Sequence, residues 1–215
     1  MEERRSIASL GSVVVALLLF IIVMDVASIG SSIMQLDLLD DFSRGDIDEA
    51  AAESNDQREM MVGLLYLGGM LVTAICFWVW FYRAYRNIDA LGGLRSESPG
   101  WTFWGFIIPI ISLYKPYRLM RETFTASSPS ADDKHNLVGA WWALFLLNGL
   151  AGQISIRMAR NADTIAELVE VTQVSILSSV IDIPTAAVAI VMVRTLSEWQ
   201  EQRAPDERRL AHVFE

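Results

Sequence analysis

Four long apolar stretches, each bounded by charged residues, constrain the fold of this chain more than any other feature of its sequence. They cover roughly residues 7–34, 60–82, 137–157 and 171–193. Each is long enough to cross a membrane, since a helix needs about 20 mostly apolar residues to span the hydrocarbon core. Hydrophobic residues make up 53% of the chain and charged residues only 20%, which excludes a disordered chain and disfavours an ordinary soluble domain. The sequence predicts an all-α membrane protein.

The first apolar stretch could be mistaken for a secretory signal, because Arg4 and Arg5 precede it. Its apolar run from Ile7 to Met24 is 18 residues long, however, whereas the apolar region of a signal peptide has about 7 to 15 residues. We therefore expect this stretch to be a retained membrane anchor.

A fifth apolar stretch, from Trp101 to Tyr114, is shorter and contains Pro109 near its middle. Apolar segments of about 10 to 14 residues are more often re-entrant or interfacial than spanning, and proline bends a helix. If this stretch does not cross, 13 of the 17 basic residues lie on the cytoplasmic side, whereas a crossing leaves 7 there. Since cytoplasmic loops are enriched in Lys and Arg, we predict four transmembrane helices plus one short, proline-containing re-entrant or interfacial segment over residues 101–124.

The same arrangement makes residues 1–215 a single membrane domain with both termini in the cytoplasm. Residues 37–59, with nine acidic side chains and two arginines, are expected to form an acidic outer loop. Their spacing does not match a calcium-binding loop, which favours a solvated acidic surface. Residues 194–215 are expected to form a cytoplasmic tail, and the pair Thr164 and Glu167 has the spacing of a capping box at the start of the last helix.

Three polar residues lie inside the predicted spans: Asp25, Asn148 and Asp182. Polar and ionisable groups in a membrane usually face the bundle interior and often mark ion or proton paths. We therefore expect these three to form a shared intramembrane polar cluster. Two interpretations remain open at this point: the cluster holds the helices in register, or it binds a proton or an ion.

All seven tryptophans fall towards the cytoplasmic ends of the predicted spans, where aromatic side chains prefer the headgroup level. After the short apolar stretch, Tyr117 and Phe124 share one helical face while Arg118 and Arg121 project elsewhere. This pattern is typical of a helix lying in the membrane surface near anionic headgroups. A solvated connecting helix is the alternative.

Several functional classes are disfavoured by composition. A net charge of −9 argues against nucleic-acid binding, which needs a basic surface. With one cysteine, Cys76, and two histidines, His135 and His212, no metal site with ordinary ligand spacing can be drawn. No serine-hydrolase elbow, zinc-protease motif or P-loop is present. We therefore predict no catalytic residues, no metal and no cofactor.

A motif of aromatic, basic and proline residues is predicted on the cytoplasmic face. Its members are Trp80, Tyr82, Arg83, Asn87, Trp101, Pro109, Pro116, Tyr117, Arg118 and Arg121. This pattern, with Trp141-Trp142 further along, resembles a bacterial family of integral membrane proteins catalogued only as a domain of unknown function. The resemblance covers about residues 56–202 and departs at Phe124, where the family commonly has Trp. It implies a protein of a prokaryotic cytoplasmic membrane and brings no reaction or substrate.

Three functional hypotheses follow from these observations. The first is a non-enzymatic accessory or scaffold subunit that binds membrane lipids or a membrane-protein partner. A homo-oligomer without such a partner would instead favour the second hypothesis. The second is a small ion or proton-linked transporter or channel that uses the intramembrane carboxylates Asp25 and Asp182 together with Asn148. The third is a membrane-embedded enzyme acting on lipid.

Overall fold

The computed structural model of this chain describes residues 5–46, 48–129 and 135–211, with side chains as far as residue 203. The described residues are mainly helical and include no strand. Six helices follow one another, and a short 3₁₀ turn at Ile111–Leu113 lies between the third and the fourth. They are α1 (Ala8–Arg44), α2 (Glu49–Ala90), α3 (Trp101–Ile107), α4 (Lys115–Ser127), α5 (His135–Ala159) and α6 (Ile165–Ala211).

Four of these helices, α1, α2, α5 and α6, are long and apolar enough to cross a membrane. The predicted all-α membrane fold is therefore confirmed. Helix α2 illustrates the surface that such a helix presents: Leu64 is 63% exposed and Leu65 and Leu67 are each 53% exposed. A row of exposed leucines is unfavourable in water and suits contact with lipid chains.

The long helices extend beyond the apolar stretches that define the spans. Residues 37–59, predicted as a loop, are helical on both sides of a short connection between Arg44 and Glu49. The alanines at 50–52 favour helix on the α2 side, and the predicted tail is likewise helical as far as Ala211. The predicted tail's last residues, 212–215, lie outside the described part of the chain.

Two helices are followed, within two residues of their ends, by a glycine in the left-handed region. Gly45 has φ +91° and Gly92 has φ +78°, a conformation that side chains with a Cβ disfavour. At the end of α1, the Asp46 amide donates to the Asp41 carbonyl at 3.1 Å. At the end of α2, the Gly93 amide donates to the Ile88 carbonyl at 2.9 Å. These bonds satisfy carbonyls that the helix itself leaves unpaired.

The predicted capping box at the start of α6 is confirmed. The Glu167 amide donates to the Thr164 hydroxyl at 3.3 Å, and the Thr164 amide donates to the Glu167 carboxylate at 2.9 Å. Two backbone donors at the helix start are thus satisfied reciprocally.

The chain divides into two compact units, each built from segments of several helices. One unit contains residues 1–18, 72–142 and 188–215, and the other contains residues 19–71 and 143–187. We call the first the hairpin unit, because it contains α3 and α4, and the second the polar-cluster unit. All seven tryptophans belong to the hairpin unit.

Buried amide side chains hold the hairpin unit together. The Asn87 side chain donates to the Gln200 side-chain oxygen at 2.8 Å and to the Arg5 carbonyl at 2.9 Å. Gln200 in turn donates to the Ala84 carbonyl and the Ser127 hydroxyl, both at 2.9 Å. Since Asn87 is 3% exposed and Gln200 is 0% exposed, these bonds link α2, α4 and α6 within the core of the unit.

We expect Gln200→Ala to destabilise the protein, because it leaves the buried amide of Asn87 and two further groups without their partner. Loss of such bonds costs about 1 to 3 kcal/mol. Thermal unfolding in detergent measures the effect. Gln202→Ala is the matched control, since Gln202 is an exposed residue of the same helix. Equal unfolding temperatures for the two variants would contradict this role.

Candidate functional site

The polar-cluster unit brings four polar side chains together, one from each long helix. Asp25 comes from α1, Tyr66 from α2, Asn148 from α5 and Asp182 from α6. The Tyr66 hydroxyl donates to one oxygen of Asp182 at 2.8 Å, and the Asn148 side-chain amide donates to the other at 2.5 Å. Asp182 therefore has a hydrogen-bond donor on each carboxylate oxygen.

Asp25 has a different environment from Asp182. It is 0% exposed, and neither of its carboxyl oxygens has a hydrogen-bond partner within the described residues. Its carboxyl nevertheless lies close enough to interact electrostatically with that of Asp182. Two neighbouring carboxyl groups that lack a compensating cation are unfavourable when both are ionised.

A contact with Ser178 orients the Asn148 side chain. The Ser178 hydroxyl lies 3.5 Å from the Asn148 side-chain oxygen, so the amide nitrogen is the atom that faces Asp182. Ser178 and Asp182 lie four residues apart on α6 and therefore share one helical face.

The structure thus places Asp25, Asn148 and Asp182, the three residues singled out from the sequence, in one cluster. Tyr66, the fourth member of the cluster, is not among the residues predicted from the sequence. The sequence nevertheless contains a signal for it. Tyrosines prefer the membrane interface, whereas Tyr66 lies among leucines inside the second apolar stretch. A tyrosine hydroxyl in such a place needs a partner.

A second polar network in the same unit joins α1 to α2. The Arg58 guanidinium donates to the Ser31 hydroxyl at 2.9 Å and to the Asn55 side-chain oxygen at 2.5 Å, and Ser31 donates to Glu59 at 2.5 Å. Ser31 and Asn55 are buried. The Arg58 charge is therefore satisfied within this network.

In the hairpin unit, α3 and α4 form a helical hairpin, residues 101–127, at the place of the predicted re-entrant or interfacial segment. Gly105 lies close to Lys115, since a Cβ added at Gly105 would lie 3.3 Å from the Lys115 side chain. Pro109 and Ile110 form the turn, and Ile110 has φ +67°. This conformation is strained for a β-branched residue.

Buried and charged contacts fix the base of the hairpin. The Lys115 ammonium pairs with Glu97 and lies 4.9 Å from the centre of the Trp101 ring. In the preceding loop, beyond the predicted second span, Arg95 donates to Asp89 at 2.8 Å. Hydrogen bonding by Arg95 lowers the pKa of Asp89 below its ordinary value. This carboxylate therefore stays ionised and paired at neutral pH.

Residues of the predicted cytoplasmic-face motif fall into three groups. Trp80, Asn87 and Pro116 are buried, and the Trp80 indole donates to the Ser197 hydroxyl at 3.0 Å, so these three stabilise the unit. Three are half-buried: Arg83, Trp101 and Tyr117. Four are exposed: Tyr82, Pro109, Arg118 and Arg121.

Five large apolar or aromatic side chains at and next to the turn of the hairpin are exposed. The exposed fractions are 54% for Trp104, 47% for Ile107, 77% for Ile110, 58% for Leu113 and 46% for Tyr114. We call these five residues the hairpin tip. The hairpin therefore combines an apolar tip with the exposed arginines of α4.

Comparison with known proteins identifies one family. The family model described as a domain of unknown function, DUF4328, matches residues 43–198. The matched range includes Tyr66, Asn148, Asp182 and the whole hairpin, whereas Asp25 precedes it. No curated protein and no solved structure matches this chain.

We expect Tyr66→Phe to lower the stability of the protein, because Asp182 loses one of its two donors. The loss should be about 1 kcal/mol, as for other side-chain hydrogen bonds between transmembrane helices. Thermal unfolding in detergent tests this. Tyr114→Phe removes the same hydroxyl from an exposed position and should leave stability unchanged. A larger loss for Tyr114→Phe than for Tyr66→Phe would disprove the expectation.

Proposed function

We propose that this chain, which belongs to the DUF4328 family of domains of unknown function, is a non-enzymatic accessory or scaffold subunit of a prokaryotic cytoplasmic membrane. Its α3–α4 hairpin binds anionic lipid on the cytoplasmic side and so presents a fixed surface to membrane partners. The single observation that carries this proposal is the combination of the exposed apolar hairpin tip with exposed arginines on the same hairpin.

The hairpin tip supports insertion among lipid headgroups and chains. Ile110 is strained and 77% exposed, so the backbone turn projects an apolar side chain away from the protein. Trp104 and Tyr114 flank it, and both residue types favour the membrane interface. In water, the five exposed apolar side chains of the tip would cost free energy without compensation.

Helix α4 supports the electrostatic part of the proposal. Its buried face contains Leu119, Met120 and Phe124, while Arg118 and Arg121 are exposed. Each basic residue near an anionic membrane surface contributes about 1 kcal/mol of attraction. The apolar tip and the arginines therefore favour the same occupant, a negatively charged lipid surface.

The firm attachment of the hairpin supports a scaffold role. Lys115 is paired with Glu97, and the Trp142 indole donates to the Leu113 carbonyl at 3.0 Å. The Glu122 carboxylate accepts hydrogen bonds from the Ser96 amide at 2.6 Å and the Ser96 hydroxyl at 2.5 Å. These contacts fix α4 and the 3₁₀ turn to the rest of the unit, which suits a surface that positions a partner.

We expect the double variant Arg118→Gln/Arg121→Gln to lose enriched anionic phospholipid when it is extracted from membranes in polymer discs. The loss should correspond to about 1 kcal/mol per arginine, and mass spectrometry of the bound lipids measures it. The matched control is Arg157→Gln/Arg160→Gln, which removes the same charge from exposed positions that are predicted on the opposite side. Equal lipid profiles for the two double variants would contradict lipid binding by the hairpin.

The accessory role itself is tested by the proteins found in the same native discs. A stoichiometric membrane-protein partner supports the proposal. A homogeneous assembly of this chain alone, with no partner, would contradict it.

A second candidate function is proton- or ion-linked transport through the polar cluster. The observation that favours it is Asp25, a fully buried carboxyl beside Asp182 and without a hydrogen-bond donor of its own among the described residues. Intramembrane carboxyls of this kind occur along proton paths.

We expect Asp182→Asn to reduce proton flux in proteoliposomes under an applied pH gradient to the level of protein-free liposomes, because it removes one of the two carboxyls. Asp37→Asn, an exposed position of α1, should keep wild-type flux. Wild-type flux in Asp182→Asn, or no flux in the wild type, would reject this second function.

A further inference from the structure

We infer that Asp25 and Asp182 form a binding site for one proton, in which Asp25 holds the proton and donates it to Asp182. The inference deepens the second candidate function, because it names the ligand of the same site. It concerns binding alone and stands whether or not the protein transports protons.

The two carboxyls differ in their hydrogen-bond donors, and this difference assigns the proton. Asp182 accepts from the Tyr66 hydroxyl and from the Asn148 amide, which stabilise its ionised form. Asp25 is fully buried and no donor reaches either of its oxygens within the described residues. A protonated Asp25 supplies the missing donor and removes one negative charge from the site.

No cationic side chain among the described residues neutralises the pair. Three titratable groups form the site: Asp25 on α1, Tyr66 on α2 and Asp182 on α6. The fourth helix, α5, contributes the uncharged Asn148. Among the described residues, no Lys, Arg or His forms an ion pair with either carboxylate. Two adjacent carboxylates in this setting would repel each other, as in other carboxyl dyads that retain one proton.

Proton binding and release form and break one covalent bond, the O–H bond of the Asp25 carboxyl. On release, the O–H bond of Asp25 breaks, the electron pair remains on its carboxylate, and the proton passes to water. The site then holds two negative charges, while Tyr66 and Asn148 still hold Asp182. On binding, the proton returns to Asp25 and the hydrogen bond to Asp182 forms again.

Infrared difference spectroscopy of the full chain in lipid nanodiscs tests this assignment at neutral pH. The measured quantity is the carbonyl stretch of a protonated carboxylic acid, which shifts on exchange into heavy water. We expect one such band in the wild type and its complete loss in Asp25→Asn. Asp182→Asn should retain a shifted band, because Asp25 remains buried and protonated but has lost its acceptor.

Two further variants distinguish loss of the bound proton from misfolding of the protein. Asp37→Asn should leave the band unchanged, and Asp25→Glu, which restores a carboxyl, should recover a band. A wild type without the band overturns the inference. A band lost in Asp182→Asn but retained in Asp25→Asn overturns the assignment to Asp25. A wild-type band without proton flux supports the proton site and rejects only transport.

Discussion

Every backbone amide and carbonyl inside a hydrocarbon layer must be satisfied within the protein, since no water is available there. For a chain with four apolar stretches this requirement dictates helices, and four helices of this chain are long and apolar enough to meet it. The same constraint applies to side chains. A polar group in such a helix must face another polar group or remain unpaired at a cost of several kcal/mol.

The two units satisfy their polar side chains in different ways. In the hairpin unit, Asn87 and Gln200 bond each other and nearby backbone groups, so the network is neutral and closed. In the polar-cluster unit, Asp182 is satisfied by two donors while Asp25 has none among the described residues. A neutral, closed network is enough to stabilise a fold, whereas a buried carboxyl without a donor carries a free-energy cost that protonation would relieve.

The hairpin shows how a short apolar segment differs from a span. Helix α3 ends at Ile107, and the turn at Pro109 and Ile110 reverses the chain within a few residues. Glycine at position 105 of α3 suits the close approach of α4, because a Cβ there would lie 3.3 Å from the Lys115 side chain. The result is a compact, firmly attached element whose exposed tip is apolar, and this feature gives the proposed lipid-binding role its physical basis.

The sequence by itself determined the helical class, the four apolar helices and the capping box at Thr164, because these depend on local composition and on the length of apolar runs. It also indicated that Asp25, Asn148 and Asp182 would lie together, because polar side chains avoid the helix faces that contact lipid. Only the tertiary structure decided that Tyr66 joins them and that Trp80 and Asn87 are buried. Those outcomes depend on the rotation of each helix about its axis, which packing between distant segments sets and local sequence does not.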